Sequence, residues 1–181
     1  MPIGQENTVA WRRQMAGLFV IFAAVFILFR VLFGLSVISG PSMLNTLSDG
    51  DLVFFRRITY TPEHGDIVLV NCESRREVLV KRVIGLPGDV IEIDEKTASV
   101  YRNGKLLEED YISTPTSSRA NMTGPVTVRE DCIFVMGDNR ENSGDSRYDD
   151  IGQIPYEDIL GKYVRTIIHS GHFGHLLDQL Q

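Results

Sequence analysis

From Met15 to Phe29 the chain runs MAGLFVIFAAVFILF without a single charge, and after Arg30 it goes on as VLFGLSVI to Ile38. A helix of this composition is apolar on every face and has no polar side to turn to water. Lipid suits it. Fifteen helical residues reach about 22 Å, short of the roughly 30 Å of a hydrocarbon core. If the Arg30 side chain reaches back to the interface, the helix continues past it, and residues 15–38 supply a transmembrane anchor with a membrane-proximal segment. Arg12 and Arg13 precede the run. By the positive-inside rule they put the short tail of residues 1–14 in the cytoplasm and everything after about residue 40 outside the cell membrane. A cleaved signal peptide would share the basic start and apolar core, but its core is normally shorter and no A-x-A-like site follows.

Beyond the anchor the pattern changes to short apolar alternations: DLVFFRRIT, DIVLVNC, EVLVKRVIG, DVIEID, SVYRNGKLL, PVTVRE, CIFVMGD and KYVRTII. They are rich in Val, Ile, Phe and Tyr, and most are bounded by Gly, Pro, Asp or Asn, as strands are. Asn103-Gly104 predicts a type I′ hairpin turn, because both central residues of that turn need positive φ. The expected fold is mainly β: an antiparallel β domain over residues 39–169 with a small cap region at about 90–130, a single N-terminal transmembrane helix, and a C-terminal tail over 170–181. Residues 113–124, STPTSSRANMTG, are the expected exposed loop.

Composition narrows the partners. With 43% hydrophobic and 23% charged residues, the chain is a folded one and not a disordered one. A net charge of −6, without a basic patch interleaved with aromatics, argues against nucleic acid. Cys72 and Cys132 lack metal-ligand spacing, so no metal is expected, and the sequence leaves open whether they pair.

Ser42 sits in SGPSMLNTLSDGD, directly after the apolar run. Turn formers surround it, so a plain loop leaving a helix is one reading. A nucleophile at the bilayer surface is the other, and it needs a base. His169, His172 and His175 lie in the C-terminal end and His64 in the turn PEHGD; none has apolar surroundings that would order it. Lysine is the alternative base, provided that burial disfavours its ammonium. Lys96 and Lys105 lie in or beside turns, and Lys162 follows Gly161 near the end of the domain. Lys81 sits mid-strand in VLVKRVIG, sharing a face with Leu79 and Val83 while Arg82 takes the other face. Such a lysine suits a neutral amine base, and equally an edge-strand charge that blocks aggregation.

Together these stretches resemble the bacterial type I signal peptidases, the membrane-anchored Ser–Lys endopeptidases of peptidase family S26. SGPSMLNTLSDGD resembles their nucleophile block, HGDIVLV the strand after it, and VKRVIGLPGDVIEI the lysine block. FVMGDNRENSGDSR resembles the block that closes the active site, and IGQIPYEDILGKYV the segment that follows. The blocks run in order from about residue 37 to 164. The resemblance implies a serine endopeptidase that removes signal peptides from exported preproteins through an acyl-enzyme, with no cofactor and no metal. It implies Ser42 as nucleophile and Lys81 as general base, Ser143 as the hydroxyl that orients the lysine, and Asp145 and Arg147 as a supporting ion pair. Its partners are preproteins with small residues at the first and third positions before the cut, and the lipid bilayer.

Two positions depart from the pattern. Gly40 stands where some members carry a serine that helps hold the oxyanion, so the hole should rely on backbone N–H groups of Ser42 and Gly40. Asn45 stands where the family usually has proline, which predicts a looser segment after the nucleophile. The stretch between Lys81 and Gly137 is short for the family, so any cap should be minimal. Without the resemblance, DNRENSGDSRYDD could suggest a cation loop, but Arg140 occupies a ligand position and the required Gly is missing. Self-cleaving repressors share a Ser-Met block and a strand lysine but bind DNA in the cytoplasm; the anchor and the GLPGD block argue against them. Eukaryotic-type signal peptidases carry histidine at the base position, where this chain has Lys81. A tethered β domain that only binds exported peptides would keep the same blocks as a scaffold.

Overall fold

The structure, a computed structural model, describes residues 5–57 and 60–170, with backbone alone for residues 5–10. His172, His175 and the C-terminal tail from residue 171 on lie outside the described residues.

The first element, α1, is the helix Gln5–Leu32. Within it Trp11–Leu32, 22 residues, is long and apolar enough to cross a membrane, and none of it is buried against the rest of the protein. At helical rise those residues span about 33 Å. The helix therefore needs no residues beyond Leu32, and it does not continue to Ile38 as the sequence reading allowed. It also begins inside the stretch read as a tail. After Leu32 the chain enters strand β1, Phe33–Val37, with no intervening loop. The end of the helix is held where it stops, because the Leu32 carbonyl accepts from the Arg57 amide at 2.8 Å.

The remaining strands are β2 (Leu52–Arg56), β3 (Ile67–Cys72), β4 (Glu77–Gly85), β5 (Val90–Asp94), β6 (Ser99–Arg102), β7 (Lys105–Leu106), β8 (Val126–Thr127), β9 (Cys132–Met136), β10 (Ile154–Pro155) and β11 (Ile159–Ile168). They form two sheets. A seven-stranded sheet has the order β1-β2-β11-β3-β4-β9-β10, and a four-stranded sheet the order β7-β6-β5-β8. Every pairing is antiparallel. The smaller sheet spans residues 90–127, where the cap was expected. Its β6–β7 hairpin turns on Asn103 and Gly104, at φ 54° and 74°, as a type I′ turn requires.

Strand β9, CIFVM, is buried on both faces. Its alternation feeds two cores, since successive side chains point to opposite sides. Cys132, Phe134 and Met136 pack with Ile84, Ile91 and Val100 towards the smaller sheet. Ile133 and Val135 pack with Val68, Val70 and Leu79 in the larger one. Cys72 and Cys132 are free thiols in different cores. A third core, Ile38, Met43, Leu47, Val53 and Ile67, lies under the segment after β1. That core positions the site.

Candidate active site

Ser42 lies in a short turn pinned on both sides by buried apolar residues, Ile38 before it and Met43 and Leu47 after it. The turn is closed by the Leu44 amide on the Pro41 carbonyl at 3.1 Å and the Leu47 amide on the Met43 carbonyl at 2.8 Å. Gly40 enters it at φ 87°, a left-handed conformation that favours glycine. A second clamp comes from the loop after β9. Asn139 donates its amide to the Ser42 carbonyl at 3.0 Å and its side chain to the Pro41 carbonyl at 3.1 Å. Gly137 permits this approach, because a Cβ there would strike the Ser42 carbonyl and the Ser143 side chain.

Lys81 meets Ser42 from β4. Its Nζ lies 2.8 Å from Ser42 Oγ and 3.1 Å from the Val80 carbonyl. Leu79, Lys81 and Val83 share the buried face of the strand, and Lys81 is only 2% exposed. Burial pushes its ammonium down to about 8 from the ordinary 10.5. Asp145, Glu77 and Asp138 oppose that shift, and Arg75 adds to it. At that value a usable fraction of the amine is neutral near physiological pH, able to accept the Ser42 proton.

Arg82, on the opposite face, has a separate task. It pairs bidentately with buried Asp138, at 2.8 and 2.6 Å, and its guanidinium stacks 4.0 Å from the Tyr111 ring centroid. Thr46 Oγ1 donates to the same carboxylate at 2.5 Å. Asp145 and Arg147 form a buried two-point pair at 2.8 and 2.9 Å, and Asp145 also accepts the Gly137 amide at 3.0 Å. Arg140 is buried against Glu109 at 2.8 and 2.5 Å, which ties a loop near the smaller sheet to the loop that clamps Ser42.

Three expectations change. The Gly40 amide is not a free oxyanion donor: it donates to Asp49 Oδ1 at 2.7 Å. Among the described residues the Ser42 N–H has no acceptor, which leaves that amide open. The Ser143 hydroxyl does not hydrogen-bond Lys81. It is buried against Gly137 with no partner among the described residues, while Lys81 is engaged by Ser42 and Val80. His64 is not simply solvated, since its Nε2 lies 2.6 Å from Asp89 Oδ2. Asn45 is exposed and lines no part of the cleft. The residues that sequence reasoning missed are Asn139, Asp138, Arg82, Thr46 and Arg140. One signal was present: a charged residue beside a buried strand lysine must find a partner on the opposite face.

A cleft of about 310 Å³ opens beside the Ser42–Lys81 pair. Residues 36–43 form one wall, and Arg75 with residues 77–81 and Gly144 form the other. The antiparallel pairings from β1 through β2, β11 and β3 to β4 make β1 and β4 run in the same direction. Both present unpaired edges to the cleft, because β9 pairs with β4 only from Arg82 onward. An extended peptide can therefore add as a strand between them.

The family described as "Signal peptidase, peptidase S26" matches residues 11–168. Signal peptidase I P of Bacillus subtilis subsp. natto is 36% identical over 167 residues, 87% of each chain. Signal peptidase I of Bacillus amyloliquefaciens is 38% identical over 83% of each chain. The crystal structure of a signal peptidase I from Enterococcus faecalis V583 is similar at TM-score 0.50 and 30% identity, covering 59% of this chain and all of that one. The chain belongs to the signal peptidase I family of peptidase S26, hydrolases that remove signal peptides from exported proteins.

Proposed function

We propose that the chain cuts preproteins with a Ser42–Lys81 dyad through an acyl-enzyme, in a domain held outside the cell membrane by α1. The observation that carries this reading is the 2.8 Å contact between Ser42 Oγ and a lysine amine almost wholly removed from water. Neutral Lys81 takes the Ser42 proton as Oγ attacks the scissile carbonyl, and the negative charge develops beside the Ser42 N–H. The resulting ammonium protonates the leaving amine. Neutral again, Lys81 takes a proton from water as the water attacks the acyl-serine, and it returns that proton to Ser42 Oγ as the new C-terminus leaves. Asp145–Arg147 and Arg82–Asp138 hold the loops that carry these groups and take no part in the bond changes.

The substrate lies extended between β1 and β4, with small side chains before the cut. The orientation rests on Arg12 and Arg13 at the cytoplasmic end of the helix. Register puts Phe33, Leu35, Val37 and Phe54 on one face of β1 and β2, where Leu35 and Val37 are more than half exposed. Phe29 of the helix lies tilted against Phe33 at 5.0 Å and stacks with Phe54 at 6.1 Å. This face continues the helix surface and rests on lipid.

The test uses the full chain in detergent with a fluorogenic signal-sequence peptide. The parent is expected to cut after a small-x-small motif, and Ser42→Ala and Lys81→Ala to lose at least about 10³ in rate while both still melt cooperatively as folded chains. If Lys81→Ala keeps most of its activity while Ser42→Ala does not, another group is the base.

A further inference from the structure

At the end of the cleft away from Ser42, the turn between β3 and β4 leans on the loop that follows Ser143. Ser74 Oγ donates to the Asp150 carbonyl, and Arg75 Nε donates to Asp150 Oδ2 at 2.8 Å. The guanidinium lies over Gly144. A Cβ built there would meet Arg75 Cζ at 3.0 Å and Nη2 at 3.1 Å, with Nη1 closer still. Gly144 does not have positive φ, so its backbone does not call for glycine. The space is what the guanidinium uses.

As a source of stability this contact is minor. Arg75 and Asp150 are 32% and 54% exposed, and such surface pairs contribute about 0–1 kcal/mol. As a wall it is well placed, since Arg75 and Gly144 both line the cleft. Asp150 engages only Nε, and among the described residues Nη1 and Nη2 have no acceptor. Asp150 balances the charge and Glu77 lies on the same wall, so the wall does not select by net charge. It presents the remaining N–H donors of a planar fork beside the unpaired edge of β4.

We propose that Arg75 anchors the substrate: braced by Asp150 over Gly144, it donates from Nη1 and Nη2 to main-chain carbonyls of the preprotein upstream of the cut. The proposal rests on the Ser42–Lys81 reading of the site. Glu77 precedes Lys81 by about 13 Å of strand, so for a peptide running parallel to β1 and β4 the carbonyls that reach Arg75 belong to residues about four to six before the cut. Recognition through the main chain lets one anchor serve preproteins of different sequence.

The test assays the full chain in detergent on two peptides that share a cleavage site, one with about eight residues before the cut and one with about three. Arg75→Gln is expected to lower kcat/KM on the long peptide about tenfold, mainly through KM, and on the short one about twofold at most. Gly144→Ala keeps Arg75 in the chain but pushes its guanidinium off the wall, and should give the same length-dependent loss. A merely structural contact would lower both peptides alike. Equal losses, or none, overturn the proposal. Ser42→Ala on the long peptide separates the two readings. If it still cuts, both fall; if it is dead while the other variants show no length dependence, only the anchoring role falls.

Discussion

Enclosing Lys81 between Leu79 and Val83 strips an ammonium of its hydration, and the sign of that penalty shows in both activity and stability. Between about 8 and 10.5 the unfolded chain holds a proton that the folded chain has released. Stability attributable to this group therefore rises with pH through that window, and below 8 the penalty is present in full. Lys81→Met removes it, and the interval corresponds to about 3 kcal/mol. Urea melts at pH 7 and pH 10 should show the variant more stable than the parent at pH 7, with the gain shrinking at pH 10. The parent's kcat/KM should fall on the acid side with a midpoint near 8. Lys81 was legible in the sequence because a period of two assigns its face-mates without reference to anything distant. The Gly40 amide was not, since its acceptor, Asp49, comes within reach only when the turn around Met43 and Leu47 closes. The surroundings of the Ser143 hydroxyl were not legible for a related reason: they depend on how closely Gly137 packs against it.

At the scale of elements, the junction between α1 and β1 is the most constrained. Gly34 lies against Phe55, and a Cβ there would come within 2.8 Å of Phe55 Cε1 and of Arg57 Nε. Phe55 is buried and cannot retreat freely. Gly34→Val should overpack this contact and cost about 1–3 kcal/mol, read as a lowered melting temperature of the detergent-solubilised chain. The junction was not legible from the sequence. A lipid-facing helix is apolar all round, and β1 has one face on Phe55 and the other exposed and apolar, so no change of pattern marks the passage between them. The hairpin at Asn103-Gly104 was legible because backbone sterics alone demand it.

At the scale of the whole molecule, buried ion pairs tie its loops together, two of them across long stretches of sequence. Arg147 at Asp145 closes the loop after β9 on itself, Arg82 reaches Asp138 across 56 residues, and Arg140 reaches Glu109 across 31. Removing one partner leaves a buried charge uncompensated. Arg147→Met should cost about 3–5 kcal/mol in a denaturant melt, and the double variant with Asp145→Leu should recover part of the loss. Most of the strands were legible in the alternation of apolar residues, but β1, at the end of the apolar run, and the two-residue β10 were not. The long-range ion pairs were not, because nothing local tells an arginine on a loop which carboxylate it will meet.

The helix passes into β1 at Leu32 with its last carbonyl fastened to Arg57, so the helix and one wall of the cleft form a single continuous arm. Such an arm works as a ruler. The height of Ser42 is set by the short chain between Leu32 and Ser42, most of it strand β1. On the reading proposed for the site, a preprotein still inserted in the bilayer would be gauged by distance from its own membrane segment as well as by the residues beside its scissile bond, and a small-x-small stretch further along the exported chain would lie beyond the reach of the arm.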